Sequence, residues 1–285
     1  MITVRVPGST SNLGAGFDCL GLALDVWIEV RAAPGAGPFR YSGTVADLDA
    51  ADDLIAQISG PLRERDVHLE IDSRIPVARG LGSSAAAIVA GLILAELLSD
   101  RDPDPESIFR AAAEREGHPD NAGPAIYGGL ILSTDRPERL ALSPELGVAL
   151  AIPDVRLSTK TARDILPGEL ARDTAIAQAS GAAALLLGLT TGNGDLIGFG
   201  MDDRIATPHR RHLIRGFEAA VEAGRRAGAY GVTISGAGPA LLAITALVES
   251  ASVARAMADA LTAAGNPAHP LAPNVTTTGA SWTTT

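Results

Sequence analysis

Between Val67 and Leu98 the chain changes character twice, and the order of the changes limits what it can build. Val67, Leu69 and Ile71 alternate with His68, Glu70 and Asp72, the period-two pattern of a half-buried strand. Pro76 and the glycines of "PVARGLG" end that pattern. From Ser83 the segment "SSAAAIVAGLILAELLSD" is apolar, rich in helix formers, and broken only by Gly91. A strand, a glycine-rich loop and a helix in this order leave unpaired N–H groups at the helix start. There they and the helix dipole attract phosphate. The glycines let an anion approach the backbone, and Ser83 and Ser84 add two hydroxyls, one suited to phosphate and one to a magnesium ion. A glycine turn ahead of a serine-capped structural helix has the same letters. The common lysine-bearing nucleotide loop is excluded, because Lys160 is the only lysine in the chain and no G-x-x-x-x-G-K-[ST] exists.

The rest of the chain reads as a mixture of strands and helices. "ITVRV" alternates, and "LALDVWIEVRAA" is a second strand after a glycine-rich turn. A helix spans roughly Pro105 to Glu116, and "EGHPDNAGPAIYGG" is a break and a short helix before the strand "LILST". Near residue 150 "GVALAIPDVRLST" is a strand leaving the first half, followed by alanine-rich helices from about Gly168. "YGVTI" and "ALLAITAL" pair across "SGAGP", and a helix follows from about Ser250 to Ala264. The expectation is an α+β protein of two closely packed domains, 1–150 and 151–285, with a cleft between them.

Composition narrows the function. At 46% hydrophobic and 20% charged residues the chain is globular, and a net charge of -10 opposes duplex nucleic acid or an anionic membrane as partner. A local basic pocket for a small anion is compatible with that balance. Cys19 is the lone cysteine, so no intrachain disulfide forms, and it suits a small buried hydrophobe. No leader is visible before "MITVRVPGS", and the longest nearly uncharged apolar run is read as Ala85 to Ala95, short of the ~20 residues of a membrane span. A cytoplasmic protein is expected.

Three segments together carry a resemblance. "PGSTSNLGAGFD" (Pro7 to Asp18), "PVARGLGSSAA" (Pro76 to Ala86) and "SGAGPALLAI" from Ser235 resemble, in order and spacing, the three motifs of the GHMP kinase superfamily. Within it the chain is similar to the homoserine kinases, whose first motif runs close to P-A-T-S-A-N-L-G-P-G-F-D. "EGHPDNAGPAIYGG" is similar to their H-x-D-N-x-x-P segment, "LSTKTARDILP" to S-T-x-x-A-R-x-x-L-P, and "DRIATPHRRHLIRGF" to a segment ending P-Y-R-x-x-L-x-P-G-F.

The resemblance implies a fold of two parts. The N-terminal one is like ribosomal protein S5 domain 2, with a left-handed crossover, and the C-terminal one is ferredoxin-like. It implies transfer of the ATP γ-phosphate to the hydroxyl of homoserine, a step in threonine synthesis, with magnesium held by Ser84 and Glu116; Ser83 and Glu114 are rivals. It places ATP along Pro76, Val77, Ala78, Arg79, Gly80, Leu81, Gly82, Ser83, Ser84, Ala85 and Ala86, with Asp53 at the adenine. A carboxylate there accepts from the adenine amino group but cannot donate. Arg79 either adds charge near the phosphates or points to solvent. For the acceptor, Arg163 and Arg210 suit a bidentate grip on a carboxylate and Asp18 suits the ammonium. Asn12 or Asn121 suits the hydroxyl, with Thr159, Asp120 and Gly236 as further contacts. Catalysis falls to Asn121, Asn12 and Asp18 with no carboxylate base, and His118 lacks the second histidine that a metal role would need. Partners are then ATP and a small alcohol, and a homodimer is admissible. The alternatives are a superfamily kinase acting on threonine, pantoate or mevalonate, or an inactive relative that senses a metabolite.

Overall fold

A computed structural model describes residues 1–35, 37–49, 51–60 and 66–285. The first sheet is built on two long antiparallel strands, β1 (Ile2–Ser11) and β2 (Leu20–Pro34), whose register shifts between Pro7 and Gly8. β3 (Arg40–Gly43) and β4 (Val67–Ser73) lie beyond β2, and β3 runs parallel to β4. The short helix α1 (Leu54–Ile58) lies between them in the chain. Val4, Val6, Ile28, Val30, Leu69 and Ile71 are all buried, which is the face that the alternation marks.

α2 (Ser83–Leu97) packs on this sheet with apolar residues all round, as a helix buried on several sides requires. α3 (Pro105–Glu116) covers it. Asp104 accepts from the Ser107 N–H at its start, Pro105 occupies the first turn, and Gly117 (φ 77°) ends it, so its bounds follow from caps written in the sequence. α4 (Ala122–Tyr127) leads to β5 (Leu130–Leu132), which pairs with the start of β2, and β6 (Glu138–Leu140) pairs with β5.

The second sheet begins at β7 (Leu146–Pro153). A helical stretch follows: α5 (Thr159–Asp164), α6 (Arg172–Thr191), α7 (Gly194–Gly200), α8 (Thr207–Arg210) and α9 (Phe217–Arg226). Then come β8 (Ala229–Ile234), β9 (Leu241–Ala246), α10 (Ser250–Ala263) and β10 (Ala268–Leu271). The strands lie in the order β10-β7-β9-β8, all antiparallel, with α9 and α10 packed against them over Val253, Met257 and Leu261. That order and the helix after the first and third strands make the ferredoxin-like arrangement that the resemblance implies.

The chain does not pass from one sheet to the other at a single point. β7 spans residue 150, and the last strand, β11 (Ser281–Thr284), returns to pair with β1 at Ile2–Arg5. A second difference concerns α6. Among the described helices it alone is long and apolar enough to cross a membrane, so the longest uncharged run is here and not at Ala85–Ala95. Its Gln178, Gly181, Leu185, Gly188 and Leu189 are packed into the protein.

Candidate active site

The phosphate loop ends on Gly82, which caps α2 at φ 68°; no serine does so. No side chain caps this helix, and the first intrahelical bond runs from the Ala86 N–H to the Gly82 carbonyl. The N–H groups of the first turn are therefore left for an anion. Glycine is required at Gly80 and Gly82 twice over. Both have positive φ, and a Cβ at Gly80 would lie 2.1 Å from the Ser235 carbonyl oxygen, one at Gly82 2.2 Å from Ser9 Oγ. The loop is tied to the C-terminal part by Ser235 Oγ donating to the Gly80 carbonyl (2.6 Å) and the Ala240 N–H donating to the Arg79 carbonyl (3.2 Å).

One pocket joins this helix end to a polar group on its far side. Of the loop residues expected to hold nucleotide, Val77, Ala78, Gly80, Gly82, Ser83 and Ser84 line it, whereas Pro76, Arg79, Leu81, Ala85 and Ala86 do not. Arg79 takes neither expected course. Its guanidinium donates to the backbone carbonyls of Pro153, Val77 and Asp154, because the end of β7 offers acceptors there, and burial lowers its pKa. Asp53 lines the pocket and is 1% exposed. Its Oδ1 accepts the Ile55 and Ala56 N–H groups and its Oδ2 the Tyr41 hydroxyl, so this pocket-lining carboxylate also caps α1. Around it Ile28, Val45, Leu48, Leu54 and Ile71 give the pocket an apolar end.

Ser84 and Glu116 meet: Ser84 Oγ donates to Glu116 Oε1 at 2.5 Å. Glu114, two residues earlier and so on the opposite side of the same helix, is exposed and away from the pocket. Ser83 stays beside Ser84 in the lining. Two oxygens of this kind suit a hard cation such as magnesium.

At the acceptor end, Arg163 from α5 forms a bidentate pair with Asp18, Nη2–Oδ1 2.6 Å and Nη1–Oδ2 3.0 Å. The carboxylate grip and the ammonium site of the sequence reading are thus partners of each other. Burial depresses the Arg163 pKa, but the hydrogen bonds and charge of Asp18 outweigh it and the net shift is upward. Arg210, 2% exposed, donates to the carbonyls of Ala162 (2.8 Å) and Gly236 (3.1 Å) and lies 5.5 Å from the Phe17 ring. Burial and the charge of Arg163 lower its pKa.

His118 Nδ1 and Asp120 Oδ1 are 2.5 Å apart, and His118 Nε2 is 3.9 Å from Glu116 Oε2. Burial pushes the imidazole pKa down, yet the Asp120 hydrogen bond and charge, with Glu116, carry it above its ordinary value. Asp18, His118 and Asp120 offer ligand atoms within 4.8 Å of one another, the one such group among the described residues. Asp18 is paired with Arg163 and the other two with each other.

Asn12 lines the pocket and also has an internal task. Its Nδ2 donates to the Gly236 carbonyl (2.8 Å) and its Oδ1 accepts the Asp18 N–H (2.9 Å), so it latches the first motif to the third. The Gly236 carbonyl, capped by both Asn12 and Arg210, is likewise engaged. Thr159 is exposed in the lining. Asn121 lies between two hydroxyls that the sequence reading passed over: Ser9 Oγ donates to Oδ1 (2.8 Å), and Nδ2 donates to Ser11 Oγ (3.0 Å). Three consecutive hydroxyl residues at the end of a buried strand, each 0–1% exposed, were the available signal, since buried hydroxyls need partners. Cys19 is half-buried, and burial, Asp120 and Asp18 raise its thiol pKa.

The GHMP kinases N terminal domain model matches residues 48–129, and the GHMP kinases C terminal model matches 181–266. The chain is 40% identical to homoserine kinase of Picosynechococcus sp. over 276 residues, covering 90% of each chain. It is 38% identical to homoserine kinase of Synechococcus sp. over 301 residues, covering 99% of this chain and 95% of that one. Among solved structures, homoserine kinase from Cytophaga hutchinsonii superposes with a TM-score of 0.83 at 30% identity, over 99% of this chain and 97% of that one.

Proposed function

This chain belongs to the homoserine kinases of the GHMP family, and we propose that it transfers the γ-phosphate of ATP to the hydroxyl of L-homoserine, giving O-phospho-L-homoserine and ADP. The observation that carries the reading is the single pocket with an uncapped helix N-terminus at one end and the Asp18, Arg163 and Arg210 group at the other. Asp18 and Arg163 neutralise each other. A zwitterion entering between them exchanges one ion pair for two and adds no net charge. A hydroxy acid without an ammonium, such as mevalonate or pantoate, has no partner for Asp18. The two guanidiniums take the carboxylate, with Arg210 already aimed by two backbone carbonyls.

ATP lies along Val77 to Ser84 with its phosphates on the first turn of α2 and its base among Ile28, Val45, Leu48 and Leu54. Backbone N–H groups and the helix dipole then stabilise charge that develops on the transferred group, the term that dominates phosphoryl transfer. Ser84 and Glu116 would hold magnesium, which supplies further neutralisation of phosphate charge. Among the described residues at the acceptor end, Asp18 is paired with Arg163 and Asp120 with His118. A loose transition state needs little activation of the nucleophile, so the proton leaves late, to the transferred phosphate or to water.

The test is turnover of homoserine, threonine, pantoate and mevalonate by the purified protein with Mg-ATP, each product identified by mass. Homoserine is expected to have the highest kcat/KM, and faster turnover of mevalonate or pantoate would end the reading. Arg210→Ala is expected to weaken homoserine binding by about 2–5 kcal/mol, the cost of stranding a desolvated charge, with ATP affinity nearly unchanged.

A further inference from the structure

The polarity of the hydrogen bonds around Asn121 has a definite end point. A hydroxyl facing an amide oxygen must donate, so Ser9 Oγ–H points to Oδ1. Asn121 Nδ2 also faces the Asp120 carboxylate (3.5 Å), which only accepts, so the amide is oriented with Nδ2 toward Ser11, and Ser11 Oγ must accept (3.0 Å). That leaves the Ser11 proton to go elsewhere. Ser11 is 1% exposed, and among the described residues no acceptor takes its proton. Its neighbours each have a terminus: Thr10 and Ser235 share a bond of 2.8 Å, and Ser235 donates on to the Gly80 carbonyl. Ser11 alone ends in the pocket, which it lines together with Asn12, Asp18, Asn121, Arg210 and Gly236. The space beside it is held open by glycine, because a Cβ at Gly236 would stand 3.3 Å from Ser11 Oγ. A buried donor without an acceptor costs the desolvation of that group, so the position is stabilised when a ligand oxygen fills it.

The geometry points to Ser11 as a specificity-determining residue, which donates its proton to the oxygen of the acceptor's own hydroxyl while Ser9 and Asn121 position it. This rests on the homoserine reading above. The acceptor oxygen keeps a second lone pair for phosphorus, so the contact orients the nucleophile without consuming it. An acceptor that lacks the hydroxyl leaves the Ser11 donor stranded, and the site discriminates against it.

The experiment is calorimetric titration of the full chain, with ADP and magnesium present, using L-homoserine and its hydroxyl-free analogue L-2-aminobutyrate. Wild-type protein is expected to prefer homoserine by about three- to tenfold, the worth of one net hydrogen bond. Ser11→Ala is expected to bind the two ligands equally, with its affinity for 2-aminobutyrate no weaker than that of the wild type. A purely structural role for Ser11 would weaken both ligands together, and an unchanged ratio in Ser11→Ala overturns the proposal. Ser11→Cys keeps the volume with a weak donor and decides the matter if the alanine variant does not fold. Its ratio is expected between the other two, and a wild-type ratio overturns the proposal. Wild-type protein that fails to phosphorylate homoserine overturns the underlying reading instead, and the two failures are distinct.

Discussion

Asp18 and Arg163 are 145 residues apart in the chain and form the best-aligned ion pair in the pocket, each side chain about one-third exposed. Their pairing changes what a mutation of either one reports. Removing Arg163 withdraws a ligand for the substrate carboxylate and also leaves Asp18 without its cation; removing Asp18 does the reverse. The two losses overlap, so the double variant should cost less than the sum of the singles. The coupling in homoserine binding is expected at about 0.5–3 kcal/mol, the range for residues in direct contact. A double-mutant cycle on Asp18→Ala and Arg163→Ala measures it, and strict additivity would mean the two never share a ligand. Cys19, next in sequence to Asp18, was read as a small buried hydrophobe. Its half-burial and raised thiol pKa keep it in the protonated, unreactive form.

The element on which the site depends most is the loop joining β4 to α2. Its glycines were visible in the sequence, as was the helix they open, because glycine clusters and apolar runs are local signals. The cap was left open between the two readings, because serine is the commoner N-cap residue; here Gly82 in the left-handed region takes that place. A side chain at Gly82 would strike Ser9 Oγ and crowd Asn121, a constraint that comes from β1 and α4. Gly80→Ala combines a positive φ with a Cβ 2.1 Å from the Ser235 carbonyl. It should destabilise the protein by more than about 1 kcal/mol and weaken ATP binding more than homoserine binding. Thermal unfolding with and without ATP, alongside the two binding constants, checks this. A stable variant with wild-type ATP affinity would show that the loop does not depend on its contact with "SGAGP".

At the scale of the molecule, both chain ends meet in the first sheet. β11 covers the outer edge of β1 over Ile2–Arg5, and the sequence reading had no strand there, since "SWTTT" is too short to show a period. The pairing protects an edge that would otherwise present a row of free backbone groups. A chain ending at Gly279 should therefore unfold several degrees lower, by about 2–4 °C for each kcal/mol lost, and should aggregate more readily when heated. Light scattering during a thermal ramp measures both, and an unchanged midpoint would mean that the edge is protected without β11. β1 also carries Ser9 and Ser11 at its far end, with Asn12 just beyond it, so the truncation is expected to be felt first in stability and only secondarily in turnover.

What the sequence determined by itself is what depends on neighbours a few residues away. That includes the alternation of β4, the bounds of α3 through Asp104, Pro105 and Gly117, the hairpin of β8 and β9, and the glycine loop before an apolar helix. The chemical inventory of the site was also legible, because Asp18, Ser84, Glu116, Asn121, Arg163 and Arg210 stand in recognisable motifs. The tertiary structure decided which of these groups face one another. Asn12 bonds Gly236 across 224 residues, Ser9 bonds Asn121 across 112, and Thr10 meets Ser235 across 225. The reason is physical: a residue's charge and hydrogen-bonding capacity are properties of the residue, but its partner is set by the backbone path that closes around it. Arg79 carried the right chemistry for a nucleotide and was claimed by backbone carbonyls, while Asp53 lines the pocket and caps a helix as well. Ser11 looked like one more loop hydroxyl and was left, by the same packing, with a proton aimed into the pocket.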